Sequence, residues 1–386
     1  FLILIFIKSS KFSSNLLNND FKFLLIIIFI YFLFLSIQTE FILFSAYTYK
    51  SSTYIWTISF LFFGAFTKKI SLNTVQIFIL EIGLLSIFIT SIYGLPEQIV
   101  QFILTISDKY EPHKGSDLGL FFIVVNLLIG KSRNYDRASF TLMALNLAFF
   151  LPLVLYRSRG AFIGVVLFAI YELYLYLKNK LIFRKNNLFI LLLFIVITTY
   201  STIVSQVKDF PEEISPAIIS ESYSSLGTYR LQHYQEEYPI LYIENNRVYS
   251  GDGNLNWRLW MWQDQIEHMR ESNLVLRGSG YADKLYVFVA NNTGYGNDRT
   301  GLDDTNENLH NYFIQILSRG GIVHLILFIY FYLQIVKTYI VSNRKLDILF
   351  FLIPLLWISF FDSSMENAHF PLVFYYFLGN IYFKEN

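Results

Sequence analysis

Long apolar runs, each about as long as a bilayer is thick, alternate with short polar breaks along this chain. A helix needs about 20 such residues to cross a bilayer, within a range of about 17–25. By that measure the runs predict spans over 21–37, 53–66, 71–93, 116–130, 138–156, 159–177, 187–204, 312–341, 347–361 and 368–383. The stretch 95–107 is half a span and reads as interfacial or re-entrant. One long polar segment, 205–309, breaks the rhythm. The chain thus divides into N-terminal spans over 1–115, central spans over 116–204, an external domain over 205–309 and C-terminal spans over 310–386. Phe1 opens the sequence inside an apolar run, with no basic stretch or cleavage site before it. That predicts a truncated first span.

Charge supports the same layout. Lys8 and Lys11, Lys68 and Lys69, then Lys131, Arg133 and Arg137, then Lys178, Lys180, Arg184 and Lys185, and finally Arg344 and Lys345 fall on one side if the spans alternate. The positive-inside rule makes that side cytoplasmic. The other side receives 38–52, 94–115, the Arg157/Arg159 turn, 205–311 and 362–367. No internal repeat of the kind found in many transporters is evident.

Composition then narrows the class. Hydrophobic residues make up 54% and charged residues 15% of the 386, and mean hydropathy is +0.44. Soluble domains carry about 25% charged residues. A disordered chain, a nucleic-acid-binding domain and an ordinary soluble enzyme are excluded. The absence of Cys removes disulfides, Cys-ligated zinc, iron–sulfur clusters and thiol nucleophiles. The 40 Phe and 28 Tyr read first as lipid-facing bulk.

The segment 205–309 carries sixteen acidic against eight basic residues, with Trp257, Trp260 and Trp262 among them. A connection this long is functional or disordered, and its tryptophans argue against disorder. Residues 257–271 predict an amphipathic helix capped by Asn254 or Asn256, which puts Arg258 in the first turn, where the helix dipole disfavours a cation. A broken local rule of this sort marks a candidate functional position. Gly278-Ser279-Gly280 reads as a tight turn. Asp298, Asp303, Asp304 and Glu307 lack the spacing of a calcium loop.

Two constellations carry chemistry. In Tyr156-Arg157-Ser158-Arg159-Gly160, two arginines occupy a very short external turn, where cations are disfavoured. They suit a phosphate-bearing ligand, with Gly160 leaving room at a helix N-terminus; contact with lipid headgroups is the plainer alternative. The second runs from Glu307 to Val323. It places His310 near a helix N-terminus, whose dipole keeps an imidazole neutral, as a general base requires.

These segments also carry a resemblance. SRGAFIG over 158–164 is similar to a signature of the O-antigen ligase and O-antigen polymerase superfamily. HNYFIQILSRGGIV over 310–323 resembles its His-Asn motif with downstream Gly-Ile. NWRLWMW over 256–262, followed by GSGY, resembles its Arg-x-x-x-Trp segment and glycine turn, with Arg247 and Arg270 as competing arginines. The three stand in the family's order over roughly 116–383. The family often has Gly after Gly-Ile-x, where this chain has His324.

The resemblance implies an all-α polytopic membrane protein of about ten to twelve helices with one large external loop domain, GT-C-like. It implies a metal-independent, inverting glycosyltransferase without a cofactor, in a bacterial inner membrane and facing the periplasm. The donor would be a glycan on undecaprenyl pyrophosphate. The acceptor would be lipid A–core or another lipid-linked glycan. Arg157, Arg159 and Arg258 would bind the pyrophosphate, and His310 would act as base. Glu307 and Asn311 would support it. A polysaccharide or lipid transporter, including a flippase, is the competing reading, with Glu81 and Glu172 as its intramembrane charges.

Overall fold

In a computed structural model, residues 19–37, 46–106, 114–178, 187–206, 229–230, 237–238, 241–251, 253–289 and 309–383 are described. They form α1 (Asn19–Ile37), α2 (Ala46–Ser51), α3 (Thr53–Trp56), α4 (Ser59–Phe66), α5 (Thr74–Tyr93), α6 (Glu97–Ile106), α7 (Gly115–Ser132), α8 (Arg137–Arg157), α9 (Arg159–Lys178) and α10 (Asn187–Gln206). After two short antiparallel pairs, β1 (Tyr229–Arg230) with β2 (Glu237–Tyr238) and β3 (Tyr242–Glu244) with β4 (Arg247–Tyr249), come α11 (Gly253–Glu271) and α12 (Tyr286–Val289). The chain closes with α13 (Tyr312–Asn343), α14 (Leu349–Phe360), a 3₁₀ turn over Ser364–Glu366 and α15 (His369–Tyr382).

The fold is all-α and polytopic, as the apolar runs predict. Among the described residues, six helices, α1, α5, α7, α8, α9 and α13, are long and apolar enough to cross a membrane. Three of the other predicted spans form shorter helices. The span over 53–66 is divided between α3 and α4, and α14 and α15 have 12 and 14 residues. At 1.5 Å per residue, 12 residues rise about 18 Å, short of the ~30 Å hydrocarbon core. The connector 361–368 joins α14 to α15. The half-span forms α6, a separate helix of 10 residues.

Contacts between distant segments define the two ends of the bundle. At one end, the Leu72 amide donates to Ser132 Oγ at 3.1 Å, the Ile70 amide to Asn380 Oδ1 at 3.0 Å, and Lys131 Nζ lies 3.1 Å from Asp347 Oδ2. This end gathers Lys68, Lys69, Lys131, Arg133, Arg137, Lys178, Arg344 and Lys345, so the basic clusters share one side among the described residues. The opposite end collects the N-termini of α7, α9, α13 and α15 with the external helix α11. Between the ends lies an apolar core that includes Phe122, Phe168, Phe328, Leu355 and Phe374. Phe23, Phe78, Phe189 and Val196 face outward, as lipid-facing side chains would.

Helix α13 is broken at Gly321, where φ is 66° and ψ is −174°. The loop after α11 fits into this break. The Ser279 and Gly280 amides donate to the Ser318 and Arg319 carbonyls at 2.8 and 2.9 Å, and the Ile322 amide donates to the Val275 carbonyl at 2.9 Å. Gly278 also has positive φ, and a Cβ there would collide with the Arg319 carbonyl, just as one at Gly321 would strike that of Leu276. The predicted glycine turn and the glycines of the His-Asn motif therefore belong to one joint. His324 sits under it. Its Nδ1 is 2.7 Å from the Tyr281 hydroxyl, which is 2.9 Å from that of Tyr54. The departure from the family pattern at 324 is thus filled by a buried polar contact.

Candidate active site

The site is built around the first turn of α7 and the connector between α14 and α15. Ser158 separates α8 from α9, and its Oγ accepts the Ala161 amide at 3.3 Å, so it caps α9. Gly115 packs so closely on Ser158 that a Cβ would overlap it. Gly160 packs in the same way on the Phe361 side chain. The arginine turn is thereby fixed between α7 and the connector. The expected role of Gly160 as a gap for phosphate is corrected, because Phe361 fills that space.

Arg157 and Arg159 are both exposed at this turn. Arg157 Nη2 donates to the Ser91 carbonyl at the end of α5 at 2.5 Å, which anchors part of its guanidinium. Arg258 approaches from the external helix and donates through Nη1 to the Phe361 carbonyl. Arg247 instead pairs with Asp264, and Arg270 is exposed in the last turn of α11. Of the three candidates on this segment, only Arg258 meets the connector. Helix α11 begins at Gly253, four residues before the predicted start. Asn256 is therefore helical rather than a cap and accepts the Ser250 amide at 2.9 Å. Arg258 lies beyond the first turn, so the argument from the helix dipole does not hold there.

The same helix positions His310. Trp262 Nε1 donates to the Leu309 carbonyl at 2.5 Å, and the Trp257 ring meets the His310 ring edge-on, with centroids 5.3 Å apart. Met261, Trp262, Leu285, Val287 and Leu309 form a small apolar cluster behind them. His310 has φ of 51° and precedes the helix cap Asn311. The Asn311 side-chain oxygen accepts the Phe313 and Ile314 amides, both at 3.0 Å. That oxygen is therefore committed to the helix cap. Glu307 lies outside the described residues, as do Asp298, Asp303 and Asp304.

The carboxylate facing His310 is Asp362, whose Oδ1 is 3.7 Å from Nδ1. That is ion-pair range and longer than a direct hydrogen bond. Burial lowers the imidazole below its ordinary value, and the positive charges of Arg258 and Lys114 act in the same direction. Asp362 pulls the other way without reversing the result. Burial alone would raise Asp362. Contact with His310 and Ser116 and the charge of Lys114 instead hold it well below the usual carboxylate range. The site thus pairs a neutral imidazole with an ionised carboxylate and surrounds them with cations.

The connector also serves two further partners. Glu366 is buried, and burial pushes it up to about 8 against the charges of Arg319 and Lys50. His369 Nε2 lies 2.9 Å from Asp117 Oδ1 in the first turn of α7. Phe361, Asp362, Glu366 and His369 thus meet the external helix, the His310 motif, α13 and α7 within nine residues. Asp362 falls in the predicted external turn 362–367 and His369 in the predicted span 368–383, and no local pattern named their partners. Among the described residues, no three His, Asp or Glu side chains gather in a metal-binding arrangement.

Residues 142–329 match the family model for O-antigen ligase. This stretch includes the arginine turn, Arg258 and His310, so the resemblance read from the three motifs holds for the segment that contains them. The match supports a role in surface-polysaccharide assembly, and the apolar helices make the protein a multi-pass membrane protein. Searches of curated proteins and of solved structures find no match.

Proposed function

We propose that this protein transfers a glycan from a polyprenyl pyrophosphate to a hydroxyl acceptor, at the end of the bundle opposite its basic clusters. In a bacterial inner membrane that end faces the periplasm, and undecaprenyl pyrophosphate is the donor lipid. The observation that carries this reading is the connector, which joins a cationic flank to a neutral imidazole backed by an ionised carboxylate.

The chemistry follows from the charges. As the sugar leaves the phosphate, the electron pair of the broken C1–O bond passes to the lipid pyrophosphate. Arg159 and Arg258, with Arg157 at the same turn, oppose the charge that builds there. Arginine suits this role because its planar fork can hold two phosphate oxygens. His310 takes the proton of the acceptor hydroxyl as its oxygen attacks C1 from the opposite side, which inverts the anomeric centre. Asp362 stabilises the imidazolium that results. The acceptor is either lipid A–core or another lipid-linked glycan. A cell lacking this protein separates the two: lipid-linked polymer accumulates if it is a ligase, and core carries a single repeat if it is a polymerase.

The direct test is in vitro transfer by purified protein from a radiolabelled lipid-linked donor. Loss of a general base lowers rates by about 10²–10⁴-fold. We expect His310→Ala to fall in that range and Arg159→Ala to be similarly defective. Arg159→Lys should recover little, because one point charge does not replace a fork. Transfer near the wild-type rate by folded His310→Ala protein would overturn the reading.

A further inference from the structure

A second imidazole–carboxylate pair stands beside the first. Ser116 neighbours Asp362, the partner of His310, and the next residue, Asp117, holds His369. One turn of α7 therefore lies against both pairs. They differ in exposure: the side chains of His310 and Asp362 are 19% and 14% exposed, whereas His369 is 56% exposed over an Asp117 that is only 12% exposed. A buried carboxylate thus fixes Nε2 of a ring that otherwise faces outward.

We infer that the Asp117–His369 pair binds hydroxyl groups of the acceptor glycan and holds that glycan beside His310. This rests on the transferase reading above. Three observations support it. The pair is pre-organised, because the 2.9 Å contact fixes the ring before any ligand arrives. It is close to the proposed base, through Ser116 and Asp362. Its electrostatics also differ from those of the arginine turn. Asp117 stands directly against His369, whereas Arg157 and Arg258 are turned to the Ser91 and Phe361 carbonyls. A pyrophosphate is drawn to the arginines and repelled by the carboxylates. An uncharged polyhydroxylated ligand suffers no such repulsion and can use an oriented imidazole as a hydrogen-bond partner. The pair takes no proton in the reaction and serves binding alone.

The test measures transfer from a radiolabelled lipid-linked donor to envelope glycolipid extracted from cells lacking this protein, with each substrate titrated separately. A lost hydrogen bond of about 1.4 kcal/mol is a tenfold change. His369→Ala should therefore raise the acceptor KM roughly tenfold and leave the donor KM within about twofold. His369→Gln, which keeps an N–H for Asp117, should fall between His369→Ala and wild type. An unchanged acceptor KM in folded His369→Ala protein overturns the inference. So does an equal rise in both KM values with a lower melting temperature, the signature of a simple tie between α7 and α15. His310→Ala runs in parallel. If it is inactive while His369→Ala behaves as wild type, only the acceptor assignment fails; if it is active, the transferase reading itself fails.

Discussion

The two ends of the bundle use similar residues in opposite ways. At the basic end, Lys131 lies 3.1 Å from Asp347, the Tyr339 hydroxyl donates to the same carboxylate at 2.6 Å, and the ammonium sits 4.1 Å over the Tyr382 ring. Lys131 there is answered by neighbours that belong to the fold. At the other end, Asp362 faces His310 across 3.7 Å, and two arginines remain exposed beside it. The first arrangement is closed and ties α7, α13, α15 and the segment before α14 together. The second is open toward a ligand. What separates staple from site is therefore how charges are arranged, not whether charges are present.

The largest expected contrast comes from the same change made at each end. Asp362→Asn should lower transfer by roughly 10²-fold or more, because the imidazolium loses its stabilising charge. Asp347→Asn should leave turnover within about twofold and lower the melting temperature, since it leaves Lys131 without its carboxylate. Both variants need transfer assays and thermal unfolding. Loss of turnover in folded Asp347→Asn protein would erase the distinction.

A smaller effect lies between site and scaffold, at Glu366. Its folded-state value of about 8 lies above the ordinary 4.5. The unfolded chain therefore gives up this proton first as pH rises, and the stabilising contribution is lost between those two values. Melting temperatures from pH 5 to 8 should fall in the wild type, and the fall should be shallower in Glu366→Gln. Parallel slopes would show that this carboxyl is not linked to stability.

The smallest effect sharpens the description of the base. The imidazole is active when neutral, so the rate falls as pH drops through its lowered pKa. Lys114 holds that value down and Asp362 holds it up. Lys114→Met should move the acid limb of the pH–rate profile to higher pH, and the residual activity of Asp362→Asn should show it at lower pH. Shifts in the reverse sense would mean that the limb belongs to another group.

Much of this was legible in the residue order, and the missing parts share a cause. Apolar run length located the spans, because crossing a bilayer is a local demand on consecutive residues. Sidedness located the arginine turn, and the motifs located Arg258 and His310. The partners were not legible. Asp362 lies 52 residues beyond His310, and Asp117 lies 252 before His369. Pairing over such distances is set by how helices stack, and nothing in the local pattern encodes it. The same limit explains Asn311, whose side-chain oxygen folding assigned to the helix cap. It also explains Gly160, whose open side was closed by a phenylalanine two hundred and one residues away.

The competing transporter reading looked to Glu81 and Glu172. Glu81 accepts a hydrogen bond from Asn146 at 3.1 Å, and Asn146 also donates to Asn126. Glu172 is fully buried, with Lys131 as its charged neighbour. These contacts tie helices to one another within the bundle.

The connector from Phe361 to His369 has a further consequence, which concerns length. It works as a ruler: a carbonyl, two carboxylates and an imidazole are spaced along nine residues so that each reaches a different element. One added residue would put every group beyond it out of register at once. Insertions within these nine residues should therefore be tolerated poorly. Natural variation among such proteins would then leave this connector fixed in length.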